Sequence, residues 1–492
     1  MKILFASAEV APFAKVGGLA DVAGSLPKAL AARGHEVKVL LPRYGMIDAD
    51  PRWRLTELVS NLRVRMNPLW EETASYAEMT LGGVTFGFIG TDRWYPPAVD
   101  SASLYQPGGD QHLFFSEAVL AVSRQTGWIP DVIHSNDWHT GFIPVLMREK
   151  YPANWSRTAA IFTIHNLAYQ GEFGPEVLDH LALPGSLFTP DRCEAWGRVN
   201  FIKSGAVYAD ITSTVSPTYA REIQTPAYGC ALDGLMRHLA DHRRLEGILN
   251  GIDLATFNPA EDPAIPAAFS RDDLNGKATC RAELLKELGL PLIEGAPLMG
   301  VVSRVSSQKG MDLMLAAIDA FPDVPVQFVV QGLGEPDLAA GFRAAAHRHP
   351  NHIAFVERFD ADLAQRIYAG CDLFLMPSSF EPCGLGQMIA MRYGTLPIVR
   401  ATGGLADTVT EGQDGFVFSD RNPGAMLGAI LRAVHLYRRP AEFARIRANA
   451  MARDFGWKQS AAEYELMYTD AVARRTRFNP PVPVGAFAGS AT

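Results

Sequence analysis

Lys2-Ile3-Leu4-Phe5-Ala6-Ser7 opens the chain, the loop Ala11 to Gly18 follows, and Leu19, Val22, Ala23, Leu26 and Leu30 then recur at helical spacing before Gly34. A second apolar run, Val37-Lys38-Val39-Leu40-Leu41, comes directly after. A short continuous apolar run is the pattern of a strand buried on both faces, and apolar residues three and four apart with a glycine past the last one mark a helix and its stop. The stretch therefore predicts one βαβ unit. Similar runs recur at 131–134, 159–163 and 210–215, so the first half reads as an open, doubly wound α/β sheet. A Pro/Asp-rich stretch, Asn258 to Pro266, breaks the pattern and predicts a linker. Beyond it the alternation restarts at 298–303, 326–330, 353–356, 373–377 and 396–399. The expected architecture is two doubly wound Rossmann-like domains, 1–255 and 256–470, with a cleft between them. The segment 471–492, Pro-rich from Asn479, is expected to return to the first domain or to stay mobile.

The chain has 492 residues, enough for two to four domains at roughly 150 residues each. Charged residues at 20% and apolar ones at 48% exclude a disordered or collagen-like chain. Lys+Arg 45 against Asp+Glu 53 gives −8, which argues against a general nucleic-acid binder. Five cysteines, never in a C-x-x-C pair, predict neither a disulfide framework nor a structural zinc site. The N-terminal apolar patch is broken by Glu9 and is no secretory leader, and no run of about 18 apolar residues occurs. A cytoplasmic protein is expected, without membrane partners.

Polar loops follow several of the predicted strands, and ligands bind such sheets at the carboxyl ends of their strands. Lys15-Val16-Gly17-Gly18-Leu19-Ala20-Asp21 in the first half is echoed by Thr402-Gly403-Gly404-Leu405-Ala406-Asp407 in the second. Gly-Gly before a helix permits a tight turn, or it exposes backbone amides to an anion. Neither a G-x-G-x-x-G after the first strand nor a G-x-x-x-x-G-K-[ST] occurs; Gly332-Leu333-Gly334 is a partial match only. Ser303 to Gly310 places Arg304 and Lys309 after a strand, a fork and a point charge suited to a diphosphate. Glu381 is the sole acid of the loop Ser378 to Gly386, where Cys383 reads as a packing residue. His134-Ser135-Asn136-Asp137-Trp138-His139 and His165-Asn166-Leu167-Ala168-Tyr169-Gln170-Gly171 suit sugar hydroxyls and a pyranose face. Metal binding by the three histidines is the sharper alternative, without an H-E-x-x-H or a Cys partner. Asp360 reads as a helix N-cap and Asp50 as a turn residue.

These motifs, with Asn250-Gly251-Ile252-Asp253 and Glu381-Pro382-Cys383-Gly384-Leu385, resemble in order and over residues 1–475 the bacterial glycogen synthases and plant starch synthases. The resemblance implies a GT-B glucosyltransferase that moves glucose from ADP-glucose to the non-reducing end of an α-1,4-glucan, with retention and with neither cofactor nor metal. It implies that Lys15, Gly17 and Gly18 meet the donor diphosphate and sugar and Asp21 the nucleotide side. Asp137, His165, Asn166 and Asn250 would surround the transferred glucose, and Arg304 and Lys309 would hold the diphosphate. Phe359 would flank adenine, and Glu381 with the Cys383, Gly384 and Leu385 backbone would hold the glucose. Glu381, His165, Lys309 and Arg304 are the expected catalytic group.

Three positions depart from that family. Ile389 stands where many retaining relatives carry a second Glu, Gly386 where Thr is frequent, and Phe359 where Tyr is common. These changes bear on donor affinity more than on reaction type. UDP-glucose as donor, or a silent glucan- or nucleotide-binding regulator, are the alternatives.

Overall fold

The computed structural model describes residues 1–95, 104–105, 107–319 and 324–478, without the side chains of 477–478. The chain forms two compact units. The first comprises Met1–Thr214, Ile223–Ile248 and the chain from Trp457; the second comprises Val215–Glu222 and Leu249–Gly456.

The first unit is built on a nine-stranded sheet. Its spatial order is Leu245–Gly247, Ile211–Thr214, Ala159–Ile164, Val132–Asn136, Lys2–Ala6, Glu36–Pro42, Val84–Gly90, Trp70–Leu81 and Thr56–Asn67. Pairing is parallel as far as Val84–Gly90; the last two strands are antiparallel. Helix Gly18–Ala32 buries Leu19, Val22, Ala23, Leu26 and Leu30, the apolar spacing read from the sequence. Each such side chain withdrawn from water stabilises the fold by about 1.5–3 kcal/mol before entropy is counted. The strand order reverses between Lys2–Ala6 and Val132–Asn136, which pair in parallel. The loops leaving those two strands therefore open at a topological switch point, where side loops diverge and leave a crevice.

The second unit repeats the plan with six parallel strands: Ile353–Val356, Gln327–Gln331, Leu298–Val302, Leu373–Met376, Leu396–Arg400 and Phe416–Phe418. Here the switch lies between Leu298–Val302 and Leu373–Met376. The loops leaving these strands carry Arg304, Lys309 and Glu381.

The chain passes between the units at Thr214/Val215, Glu222/Ile223, Ile248/Leu249 and Gly456/Trp457, where the sequence reading had 255/256 and 470/471. Helix Trp457–Phe478 is continuous and buries Tyr464 and Tyr468 in the first unit, the Tyr468 hydroxyl lying 2.7 Å from His134 Nδ1. The stretch Asn258 to Pro266 is not a linker. Asp262 in its middle is buried and accepts the Tyr393 hydroxyl at 2.5 Å, which fastens it to the second unit. The antiparallel pair Thr56–Asn67 and Trp70–Leu81 was not anticipated, because its residues alternate between buried and exposed instead of forming an apolar run. The expected tail from Asn479 lies outside the described residues. No helix among the described residues is long and apolar enough to cross a membrane.

Candidate functional site

In the first unit, strand Lys2–Ala6 runs into a loop that turns back on itself through Glu9. The carboxylate oxygen Oε2 of Glu9 accepts the Val16 and Gly17 amides, each at 2.8 Å, and Oε1 accepts the Tyr105 hydroxyl. Gly17 stands as the N-cap of helix Gly18–Ala32, and the Lys15 ammonium lies 2.7 Å from Asp21 Oδ1 across that turn. The Gly17 amide, for which the sequence left open a tight turn or an exposed anion site, is thus held with that of Val16 by the protein's own carboxylate. Glu9 was read only as an interruption of the apolar patch; its one signal was an acid placed three residues beyond a buried strand.

Asp137 follows strand Val132–Asn136 with a backbone φ of 55° and only 9% exposure. A non-glycine residue in the left-handed region stores strain, and such residues cluster at functional sites. Its Oδ1 accepts the His165 amide at 2.7 Å. Burial pushes the Asp137 carboxyl up to about 7, against the pull of the His165 and Asn166 amides. The Asn136 amide group donates to the Ala6 and His134 carbonyls, so its Oδ1 is left as an acceptor. His165 Nε2, 2.9 Å away, is therefore the protonated nitrogen and Nδ1 the basic one. Burial lowers His165 to about 3, so its ring is neutral near pH 7. His134 spends both nitrogens on the Tyr468 and Thr163 hydroxyls. The described residues contain no group of His, Cys, Asp and Glu arranged to hold a metal.

The second unit brings Lys309 and Glu381 together. The ammonium lies 2.8 and 2.6 Å from the two carboxylate oxygens, and the Ser378 hydroxyl donates to Oε2 at 2.9 Å. Both side chains are largely withdrawn from solvent. Gly310, at φ 74°, lets the Lys309 loop touch this region: a Cβ there would stand 2.1 Å from the Pro377 carbonyl oxygen. Arg304 donates to Gln308 Oε1 at 3.0 Å on the same loop. Gly332 and Gly334 answer to packing, since a Cβ at either would fall within about 2 Å of the Ser303 or Val305 carbonyl oxygen.

The second glycine echo repeats the first. Glu222 accepts the Gly403 amide with both oxygens, 3.1 Å each, and the Thr402 hydroxyl at 2.9 Å. Its short helix, Pro217–Glu222, is fastened by Ser216 donating to the Pro382 carbonyl at 2.5 Å and by Thr218 donating to Asp407. Asn250 is buried against Cys383, and its amide oxygen has no partner among the described residues. Burial raises the Cys383 thiol to about 12, which makes it a packing residue. Gly384 has φ 72°, and Leu385 is the N-cap of helix Gly386–Arg392. A Cβ at Gly386 would lie 3.0 Å from the Phe374 ring, which accounts for glycine where Thr is frequent. Ile389 is buried in the core, and Phe359 is 79% exposed.

Two doubly wound units, each with charged loops at its switch point, are the architecture of the GT-B glycosyltransferases that the chain matches in structure. The family model for the starch synthase catalytic domain matches residues 2–238, and that for glycosyl transferases group 1 matches residues 289–450. The chain is 44% identical over 485 residues to the glycogen synthase of Anaeromyxobacter sp. (strain Fw109-5), covering 96% of this chain and 100% of the relative. It is 40% identical over 487 residues to that of Thermotoga maritima, covering 96% and 99%. The catalytic domain of starch synthase IV from Arabidopsis thaliana, solved bound to ADP and acarbose, matches with a TM-score of 0.87 at 34% identity, covering 96% of this chain and 99% of that one. Sucrose-phosphate synthase from Thermosynechococcus elongatus, at 19% identity and TM-score 0.59 with 96% and 99% covered, shares the fold. The chain belongs to the glycogen synthase and starch synthase family.

Proposed function

We propose that the protein is a cytoplasmic α-1,4-glucan synthase that transfers glucose from ADP-glucose to the non-reducing end of a glucan, with retention of configuration. The observation that carries this reading is the Lys309–Glu381 pair, on loops that leave adjacent strands at the switch point of the second unit. Arg304 stands at the start of the same Lys309 loop.

Breaking a glycosyl–phosphate bond leaves negative charge on the departing diphosphate and positive charge on the sugar. Arg304 and Lys309 stabilise the first; Glu381, an acceptor-only carboxylate, takes sugar hydroxyls once the donor draws Lys309 toward its phosphates. Lys15, Gly17 and Gly18 meet the diphosphate and sugar in this reading, and Asp21 the nucleotide. Phe359 supplies a face for adenine, and the Cys383–Leu385 backbone helps hold the glucose. Asp137 orients the His165–Asn166 turn toward the transferred glucose, with Asn250 beside the sugar. A retaining glycosidase would need two carboxylates about 5–5.5 Å apart; Glu381 is paired with a cation instead. That supports attack from the leaving-group face, where the departing phosphate accepts the proton of the incoming hydroxyl.

The test is glucose transfer to glycogen from ADP-glucose, with UDP-glucose at equal concentration as control. Incorporation from ADP-glucose in excess of the control supports the reading. Preference for UDP-glucose overturns the donor, and transfer from neither overturns the enzyme.

A further inference from the structure

Glu9 is 5% exposed, and no Lys, Arg or His lies within ion-pair distance of it among the described residues. A buried carboxylate without a cation persists only where fixed donors satisfy it. Three donors do so here: the Val16 amide, the Gly17 amide and the Tyr105 hydroxyl. The backbone of Glu9 is itself fixed, its amide donating to Ser7 Oγ and its carbonyl accepting the Ser7 hydroxyl at 2.6 Å.

The same arrangement occurs a second time in the chain. Val16-Gly17-Gly18-Leu19-Ala20-Asp21 and Thr402-Gly403-Gly404-Leu405-Ala406-Asp407 align residue for residue, and in each the first glycine gives its amide to a glutamate outside the motif. Two unrelated stretches of sequence supply those glutamates, Glu9 and Glu222. A Gly-Gly turn has wide backbone freedom, so one conformation must be imposed from outside.

We infer that Glu9 is a positioning residue for the transfer reaction, a carboxylate latch that sets the Lys15–Gly18 turn by holding the Val16 and Gly17 amides. The inference rests on the functional reading above only for its kinetic consequence. In this role Glu9 acts through the turn: it fixes Lys15 and the first turn of helix Gly18–Ala32, which flank the two latched amides. Gln at this position keeps an acceptor for the amides and gives Tyr105 an amide donor, whereas Ala leaves both backbone donors without a partner.

The full chain is tested as wild type, Glu9→Gln and Glu9→Ala. Amide hydrogen exchange is expected to show Val16 and Gly17 protected in the wild type and in Glu9→Gln, with protection lost in Glu9→Ala; this readout does not depend on turnover. With ADP-glucose and glycogen, Glu9→Ala is expected to lose about tenfold or more in kcat/KM for the donor, while Glu9→Gln stays within about threefold. Excess formate, a free carboxylate able to enter the vacated position, is expected to restore part of the Glu9→Ala rate, which a general loss of stability would not allow. Unprotected Val16 and Gly17 amides in the wild type overturn the latch. So does a Glu9→Ala rate within about twofold of wild type, or Glu9→Gln as slow as Glu9→Ala with no response to formate. A wild type that transfers glucose from no donor overturns the functional reading, and the exchange measurement then decides the latch separately.

Discussion

The Lys309 ammonium bridges both carboxylate oxygens of Glu381, at 2.8 and 2.6 Å, although 72 residues separate the two in sequence. With Glu381 at 7% and Lys309 at 19% side-chain exposure, removing either partner strands a poorly solvated charge. Lys309→Ala is expected to lower transfer at least about a hundredfold and to destabilise the fold by about 3 kcal/mol. The double variant Lys309→Ala/Glu381→Gln is expected to be less destabilised than the sum of the single changes. Urea unfolding of the four proteins checks this; strict additivity contradicts the pairing.

The buried carboxyl of Asp137 and the buried histidines respond to acid in opposite senses. His112 and His165 are lowered by burial to about 3, so between about 4 and 6.5 the unfolded chain binds protons there that the native chain does not. Stability falls as pH drops through that window. Asp137, raised to about 7, does the reverse: the native chain keeps a proton that the unfolded chain releases above its ordinary 3.8. Asp137→Asn, which tolerates the left-handed backbone, is expected to steepen the loss of Tm between about pH 7 and pH 5. Parallel Tm profiles for wild type and variant would contradict the buried protonated carboxyl.

Gly403 has φ 45°, and a Cβ built on it would stand 1.8 Å from the Glu381 carbonyl oxygen. Gly403→Ala is expected to destabilise by about 2 kcal/mol and to lower transfer as well, because the displaced backbone is that of Glu381. Gly428→Ala, mid-helix with nothing near the added carbon, is the control and is expected to be neutral or slightly stabilising. Thermal melts with initial rates make the comparison, and a Gly403→Ala enzyme indistinguishable from the control contradicts the close approach.

Lys277 is buried in the second unit and donates to the Ala369 and Tyr393 carbonyls and the Thr395 hydroxyl at 2.8–2.9 Å. Burial lowers its amine to about 7. Lys277→Met fills similar volume but orphans those acceptors, at an expected cost of about 2–4 kcal/mol. The native amine releases its proton near 7 and the unfolded one near 10.5, so wild-type stability is expected to gain from this group as pH rises across that interval, a gain the variant lacks. Guanidinium titrations at two pH values check both.

Much of the fold was legible because buried parallel strands announce themselves as apolar runs, and Lys2–Ala6, Ala159–Ile164 and Leu373–Met376 fall where such runs occur. Lys15, Asp137, Arg304, Lys309 and Glu381 stood out as charged residues in loops that follow such runs, and the family resemblance implied their roles. The partners that hold those loops were not legible. Glu9, Asn136, Ser378 and Glu222 are ordinary polar residues whose function depends on a fold-back within one loop, as in Glu9–Gly17 and Ser378–Glu381, or on a partner distant in sequence, as in Asn136–His165 and Glu222–Gly403. Sequence could not decide between a tight turn and an exposed anion site at Gly17 and Gly403, because it cannot show a carboxylate folding back onto their amides. The linker was misplaced for a related reason: Pro and Asp mark a turn-rich path, and Asp262 pins that path to the sheet domain beside it.

Because helix Trp457–Phe478 completes the first unit, the second is an insertion within it, interrupting one fold with another. During synthesis the ribosome delivers everything the inserted unit needs before it delivers Tyr464 and Tyr468, which the outer unit buries. The later-numbered lobe can therefore close first, and the lobe built on Lys2–Ala6 must wait for helix Trp457–Phe478 to leave the exit tunnel.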